Sequence, residues 1–290
     1  MRHHIRNADV LESNRRYHDR FGGEEYDRRW GKDWSSEALE ATSTAMEGVI
    51  GEPLARFCAY LDVGCGTGHL LAASALRRGN RGISAGVDVS EGMLSSSREG
   101  GRRTGAKITL ACASGDALPF RDGVFDLVTA FSALHHLPDP GAAVAEIRRV
   151  TSPGGLFVLS EPNRWFTRTA RAVFALPYAI HRLRRRFRPT PEEACRGALE
   201  GPVDVHEFTV DEIRRFLRQA GFNKIVFRRV FFLPNLVKAA REPLEQDYGL
   251  PAPGVEALKG METVLSAVER PLAPLLGPGA GAGITAVCVR

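Results

Sequence analysis

Leu61-Asp62-Val63-Gly64-Cys65-Gly66-Thr67-Gly68-His69 decides how this 290-residue chain is read. An apolar run over 57–63 leads into it and a segment of helical spacing over 70–78 leaves it, so the glycines sit in a strand-to-helix turn. Such a turn presents free backbone N–H groups and the positive end of a helix to a polar or anionic group. Glycine lets the main chain approach a ligand where a Cβ would collide. The spacing is G-x-G-x-G, whereas a dinucleotide fingerprint needs glycine where His69 stands, and no G-K-[ST] ending follows for a triphosphate. Pyrophosphate ligands lose.

Further apolar runs follow at 82–87, 108–113, 125–131 and 156–160, separated by helical spacing at 92–103 and 142–150. Alternation of this kind with near-continuous apolar strands means a parallel sheet covered on both faces. Beyond Glu161-Pro162 the alternation is interrupted, then resumes with a helix over 209–220, a strand over 222–232 and a terminal strand over 284–289. Thr209 and Glu212 form a capping box, and Gly221 is placed to end that helix. The predicted fold is α/β: a Rossmann-like, seven-stranded, mostly parallel sheet with helices on both faces and helical insertions around the sixth strand. Its predicted parts are an N-terminal helical lid (1–54), a ligand-binding core (55–163), a basic helical insert (164–208) and the rest of the core (209–290). That last part carries a second, irregular, proline-rich insert at 233–283.

Asp88 ends the second strand, where a carboxylate accepts both hydroxyls of a ribose. Asp116, in Ser114-Gly115-Asp116-Ala117-Leu118-Pro119-Phe120, follows the third strand and offers a second acid to an adenine amine. Two acids without a phosphate anchor describe a nucleoside that carries no phosphate.

With these residues the sequence resembles the class I S-adenosylmethionine-dependent methyltransferases, in their small-molecule branch. The likeness rests on 61–68, Asp88, 115–120, Phe125-Asp126-Leu127-Val128, Leu134-His135-His136-Leu137 and Val150-Thr151-Ser152-Pro153-Gly154-Gly155, and it covers roughly 55–161. It implies S-adenosyl-L-methionine as methyl donor and S-adenosyl-L-homocysteine as product. It places Asp62, Gly64, Cys65, Gly66 and Gly68 at the methionine moiety, Asp88 and Val89 at the ribose, and Asp116 with Ala117 at the adenine. Met93 would pack on the adenine face, and the main chain near Phe131 would approach the sulfonium.

The sulfonium is intrinsically reactive, so the protein must chiefly align a nucleophile and exclude water. For a hydroxyl acceptor a histidine base is suited near neutral pH. His136 is the first candidate, with His135 and His206 beside it; each also has a purely structural reading as a hydrogen-bonding side chain. Glu161, directly after the fifth strand, is a substrate contact by position, and Tyr26 and Trp30 belong to an aromatic N-terminal region that would close over the cofactor. No His–carboxylate spacing recurs, so no metal is expected.

The net charge is +5, yet 164–188 holds eight arginines and no acid, so the basicity is local. Phe166, Val173, Ile180 and Phe187 recur on one face of that segment, and Pro177 divides it. The segment reads as a lid over an anionic or lipid-like acceptor, as a membrane-surface contact, or as a solvated helix face. Nucleic acid is disfavoured as substrate, because Ala130-Phe131-Ser132-Ala133 stands where base-amino methyltransferases carry an Asn/Asp-Pro-Pro-Tyr/Phe motif. A cofactor-binding partner protein without catalysis ranks last, since its motifs would have decayed. The scattered cysteines read as reduced, and the polar N-terminus carries no leader or spanning pattern. A cytoplasmic enzyme is expected, peripheral at a membrane if the basic segment binds one. Oligomeric state is not encoded in any motif.

Overall fold

The computed structural model describes residues 7–21, 23–29, 32–173, 206–229, 235, 237, 252–269 and 281–290. Seven strands form one sheet in the order β3-β2-β1-β4-β5-β7-β6: β1 (Ala59–Val63), β2 (Ile83–Asp88), β3 (Thr109–Cys112), β4 (Phe125–Phe131), β5 (Thr151–Pro162), β6 (Lys224–Arg229) and β7 (Gly283–Val289). The pairs among β1 to β5 are parallel, while β7 runs antiparallel to both β5 and β6. The expected fold class is what forms.

Helices α1 (Asn7–Phe21), α2 (Glu24–Arg29) and α3 (Ser36–Ile50) precede the sheet. They are followed by α4 (His69–Arg77), α5 (Glu91–Thr104), α6 (Pro140–Val150), α7 (Arg164–Val173), α8 (Val210–Gln219) and α9 (Ala252–Glu269). Local chemistry sets their ends. Ser35, Ser90 and Asp139 accept a bond from the first turns of α3, α5 and α6, and the capping box of Thr209 and Glu212 starts α8 as its sequence requires. Gly221, at φ +94°, follows α8.

The core lies on both faces of the sheet. Ala143, Val144 and Ile147 of α6 and Ile213 and Leu217 of α8 pack on Leu61, Val128, Phe157 and Ala286. On the other face Met46 and Ile50 of α3 and Leu71 of α4 meet Tyr60, Leu127, Val158 and Val287. Asp126 secures the lower end of the sheet, accepting the N–H groups of Cys58 (2.7 Å) and Ala59 (2.9 Å).

Two sequence expectations change. The strand expected over 156–160 extends over Thr151–Pro162, with a register shift where exposed Pro153 and Gly154 interrupt the apolar pattern. The insert expected to be irregular at 233–283 contains the 18-residue α9. Of the insert's prolines only Pro253 falls within the helix, in its first turn, where proline is compatible with a helix. Most of the basic insert, 174–205, and Trp30 lie outside the described residues, as does Cys195; the other four cysteines are free thiols. Among the described residues no helix is long and apolar enough to cross a membrane.

Candidate active site

The strand order reverses beside β1, whose neighbours β2 and β4 carry connections that leave in opposite directions. That crevice, at the C-terminal ends of parallel strands, is where open α/β sheets bind ligands. The glycine turn rises from it. Gly64 and Cys65 N–H donate to Val87 O at 2.8 and 3.0 Å, which stitches the turn to β2. The three glycines then serve different ends. A Cβ at Gly64 would stand 2.6 Å from Ala133 Cβ, and one at Gly68 would stand 2.0 Å from Ser97 Oγ; both positions are set by protein packing. At Gly66 (φ +54°) a Cβ would meet nothing within 4 Å, because it would project into open space beside a cavity that Gly66 lines. Behind the turn α4 follows its N-cap Gly68, which carries no side-chain cap.

His69 anchors the turn from outside. Its Nε2–H donates to Asp33 O at 2.7 Å and its ring meets Trp34 edge-on, while burial pushes its pKa down and keeps it neutral.

Asp88 lines the cavity with Val89 and the fully buried Met93. The Asp88 carboxylate accepts Gly66 N–H at 2.9 Å and Ser90 N–H at 3.0 Å. Burial raises its pKa and these bonds oppose the rise. Asp62 behaves differently. It is 4% exposed, accepts Thr129 Oγ1–H at 2.6 Å, and burial pushes its pKa up to about 7. It is turned toward β4 and does not line the cavity. Cys65, whose Sγ crowds Gly86, also stands outside the lining, as do Gly68, Asp116 and Ala117, although Gly115 is part of it.

The loop after β4 forms the opposite wall. Ser132 holds a left-handed φ of +53° while its N–H donates to Ser160 O at 2.8 Å. Glu161, 2% exposed, accepts Ala133 and Leu134 N–H at 3.0 and 2.8 Å through Oε1 and pairs with His135 Nδ1 at 2.7 Å through Oε2. Glu161 is thus occupied in holding the loop, and neither it nor His135 lines the cavity. His136 does. Its ring lies 3.9 Å from that of His135 and 5.2 Å, edge-on, from that of His18. His206 stacks on Phe208 and hangs from His135 O by its N–H (3.2 Å), away from the lining.

Helices α1 and α2 close the top. Leu11, Asn14 and His18 of α1 and Tyr26 of α2 line the cavity, and burial followed by the charges of Asp88 and Asp27 raises the Tyr26 pKa. Asn14, Asp19 and Asp27 are among the side chains that fasten this cover. Asn14 Nδ2 donates to His136 O at 3.0 Å; Asp19 Oδ1 accepts Ser90 Oγ–H at 2.7 Å and Gly92 N–H at 3.1 Å; Asp27 accepts Thr67 Oγ1–H and Trp34 Nε1–H, each at 2.7 Å. Sequence reasoning found Tyr26 but passed over Leu11, Asn14 and His18. Their 11-14-18 spacing on one helix face, with a polar residue at its centre, was the available signal.

In the basic segment Arg164 is committed to Glu212 at 3.0 Å and to Glu207 O, and Arg168 lies 3.9 Å from Glu207, so these two arginines are paired.

A Rossmann-like sheet with a glycine turn, an acid at the end of β2 and a covered cavity at the strand-order reversal defines the class of α/β proteins that bind ligands at this edge. The family model described as a methyltransferase domain matches 61–159, and the chain belongs to the class I S-adenosylmethionine-dependent methyltransferases. A demethylmenaquinone methyltransferase of Symbiobacterium thermophilum is 34% identical over 56% of this chain and 67% of its own length. A ubiquinone biosynthesis O-methyltransferase of Methylococcus capsulatus is 33% identical over 50% of this chain, which spans only 62% of that relative. A solved SAM-dependent methyltransferase of Thermotoga maritima shares the fold, with a TM-score of 0.53 at 16% identity, covering 94% of this chain and 98% of that one. The residues present fit the family's cofactor: the open side of Gly66 and the acid Asp88 line one space.

Proposed function

We propose that this protein methylates a small or lipid-like acceptor at oxygen, by in-line displacement from S-adenosylmethionine. The observation that carries the reading is one cavity lined at once by Gly64, Gly66, Asp88 and His136. Bound there, S-adenosylmethionine supplies an electrophilic methyl group on a sulfonium. The chain's residues do the rest. Asp88 holds the nucleoside end and the glycine turn the methionine moiety, and the main chain of Phe131 and Ser132, fixed to β5, forms the wall along which an acceptor aligns. The cover of α1 and α2 excludes water. His136 takes the acceptor's proton.

An amphiphilic acceptor is supported by a second hollow behind Phe131, between α3 and α4. It is lined largely by Ala45, Met46, Val49 and Leu70, with exposed Lys32 among its residues. With Asp33 beside Lys32 in the lining, it suits an apolar body carrying a polar head, in keeping with relatives named for ubiquinone and demethylmenaquinone chemistry.

A screen of hydroxyl, amine and carbon acceptors with labelled cofactor tests the reading. Transfer to hydroxyl acceptors of apolar character is expected, and transfer confined to amines or RNA would overturn it. With a responsive acceptor, His136→Asn is expected to lower kcat about 100-fold, at the low end for general-base removal. Its S-adenosylhomocysteine affinity should stay within about twofold, because a lost base removes transition-state and not ground-state binding.

A further inference from the structure

Asn14 lies mid-way along α1, 2% exposed, with its side chain in the cavity wall. Both hydrogens of its amide are committed: Nδ2 donates to Val10 O at 3.0 Å and to His136 O at 3.0 Å. The amide orientation is therefore fixed by two carbonyls, since the flipped form would set oxygen against oxygen. Its Oδ1 remains, buried and without a hydrogen-bond partner among the described residues. A buried acceptor left unpaired is costly, and native structures keep one chiefly where a ligand or water completes it.

Asn14 lines the cavity together with Gly66, Asp88, Val89 and Met93. Asp116, the acid that the sequence offers to the adenine amine, does not line that space, whereas Asn14 does. The tether of Asn14 to His136 O also sets it beside Leu137, whose Cδ1 would lie 3.1 Å from a Cβ on Gly115 at the start of the Asp116 loop. We propose that Asn14 Oδ1 accepts a hydrogen bond from a neutral donor of the bound adenosyl group, either the adenine 6-amine or a ribose hydroxyl. The N-terminal helix is then part of the cofactor site, and one side chain both docks the cover on the core and reads the ligand beneath it. Binding and closure are coupled through that amide.

The inference rests on the cofactor assignment above, and its test separates the two. Calorimetry compares the parent and Asn14→Ala against S-adenosylhomocysteine, its analogue with hydrogen in place of the 6-amine, and its 2′-deoxy and 3′-deoxy analogues. Asn14→Ala is expected to weaken S-adenosylhomocysteine about tenfold. That penalty should shrink against the analogue lacking the donor that Asn14 reads, leaving only the part owed to the lost tether, which also tells amine from hydroxyl. An equal penalty against every analogue overturns the proposal, because it would mark Asn14 as a tether alone; so does an unchanged affinity. If Asn14→Ala fails to fold, the near-isosteric Asn14→Leu carries the same cycle. A parent that binds no S-adenosylhomocysteine removes the cofactor assignment, and the proposal with it, whereas binding with a uniform penalty removes only the role of Asn14.

Discussion

The floor and the cover of the cavity are held by different forces. The floor is the C-terminal edge of parallel strands in register, Asp62 opposite both Gly86 and Thr129, with the glycine turn bonded through main chain to β2. Moving it means breaking the sheet. The cover, α1 and α2, is joined to the core by side chains, through the polar contacts of Asn14, Asp19 and Asp27 and the packing of Leu11, and not by strand pairing. Segments attached by few bonds open at a fraction of the global unfolding free energy. The comparison predicts that the cover opens at a lower free energy than the floor.

Four substitutions sharpen or break that contrast. Asp88→Ala removes the charged acceptor of the floor and should weaken S-adenosylhomocysteine by about 3 kcal/mol, over 100-fold, in calorimetry. The floor's other acid has a pH signature. The folded-state pKa of Asp62, about 7, lies above its unfolded value, so the native state binds the extra proton and stability is lost as pH rises toward 7. Asp62→Asn abolishes that loss, and its advantage in thermal melts should grow by about 2 kcal/mol from pH 5 to pH 7 and level off above. Parallel curves for the two proteins would show the burial effect to be absent.

Gly66→Ala should cost about 1–2 kcal/mol, from left-handed strain and from a methyl group placed in the cradle. The loss should appear in cofactor affinity as well as in the melting temperature, and normal affinity would place the ligand elsewhere. Asp19→Ala frees the cover from the start of α5 and should weaken binding by about 1 kcal/mol. Hydrogen exchange should rise over residues 7–21 and stay unchanged in β1 and β4. Faster exchange in the strands as well would mean that floor and cover open together.

The strands of the floor were legible in the sequence, though their ends shifted, β5 most of all. The strand expected over 125–131 is Phe125–Phe131, and the Thr209–Glu212 box caps α8. Buried parallel strands are continuous apolar runs, and caps and glycine turns are local chemistry, so both leave a signature in adjacent residues. α9 was hidden by the prolines of its insert. In the site, the sequence named Gly64, Gly66, Asp88, Val89, Met93, Phe131, His136 and Tyr26, all of which line the cavity. It could not tell them from Asp62, Glu161 and His135, which face the same edge and are consumed by Thr129 and the loop of 132–136.

The sequence by itself determined the sheet, the glycine turn and the family of the methyl donor, because each rests on residues near one another in the chain. Only the tertiary structure decided which polar side chains remain available to a ligand. Asn14 is 122 residues from the carbonyl that fixes it, Asp19 is 71 from Ser90, and Glu161 is 28 from the amide it holds. Whether a buried polar atom is spent or free depends on partners brought together by folding, and no local pattern records them.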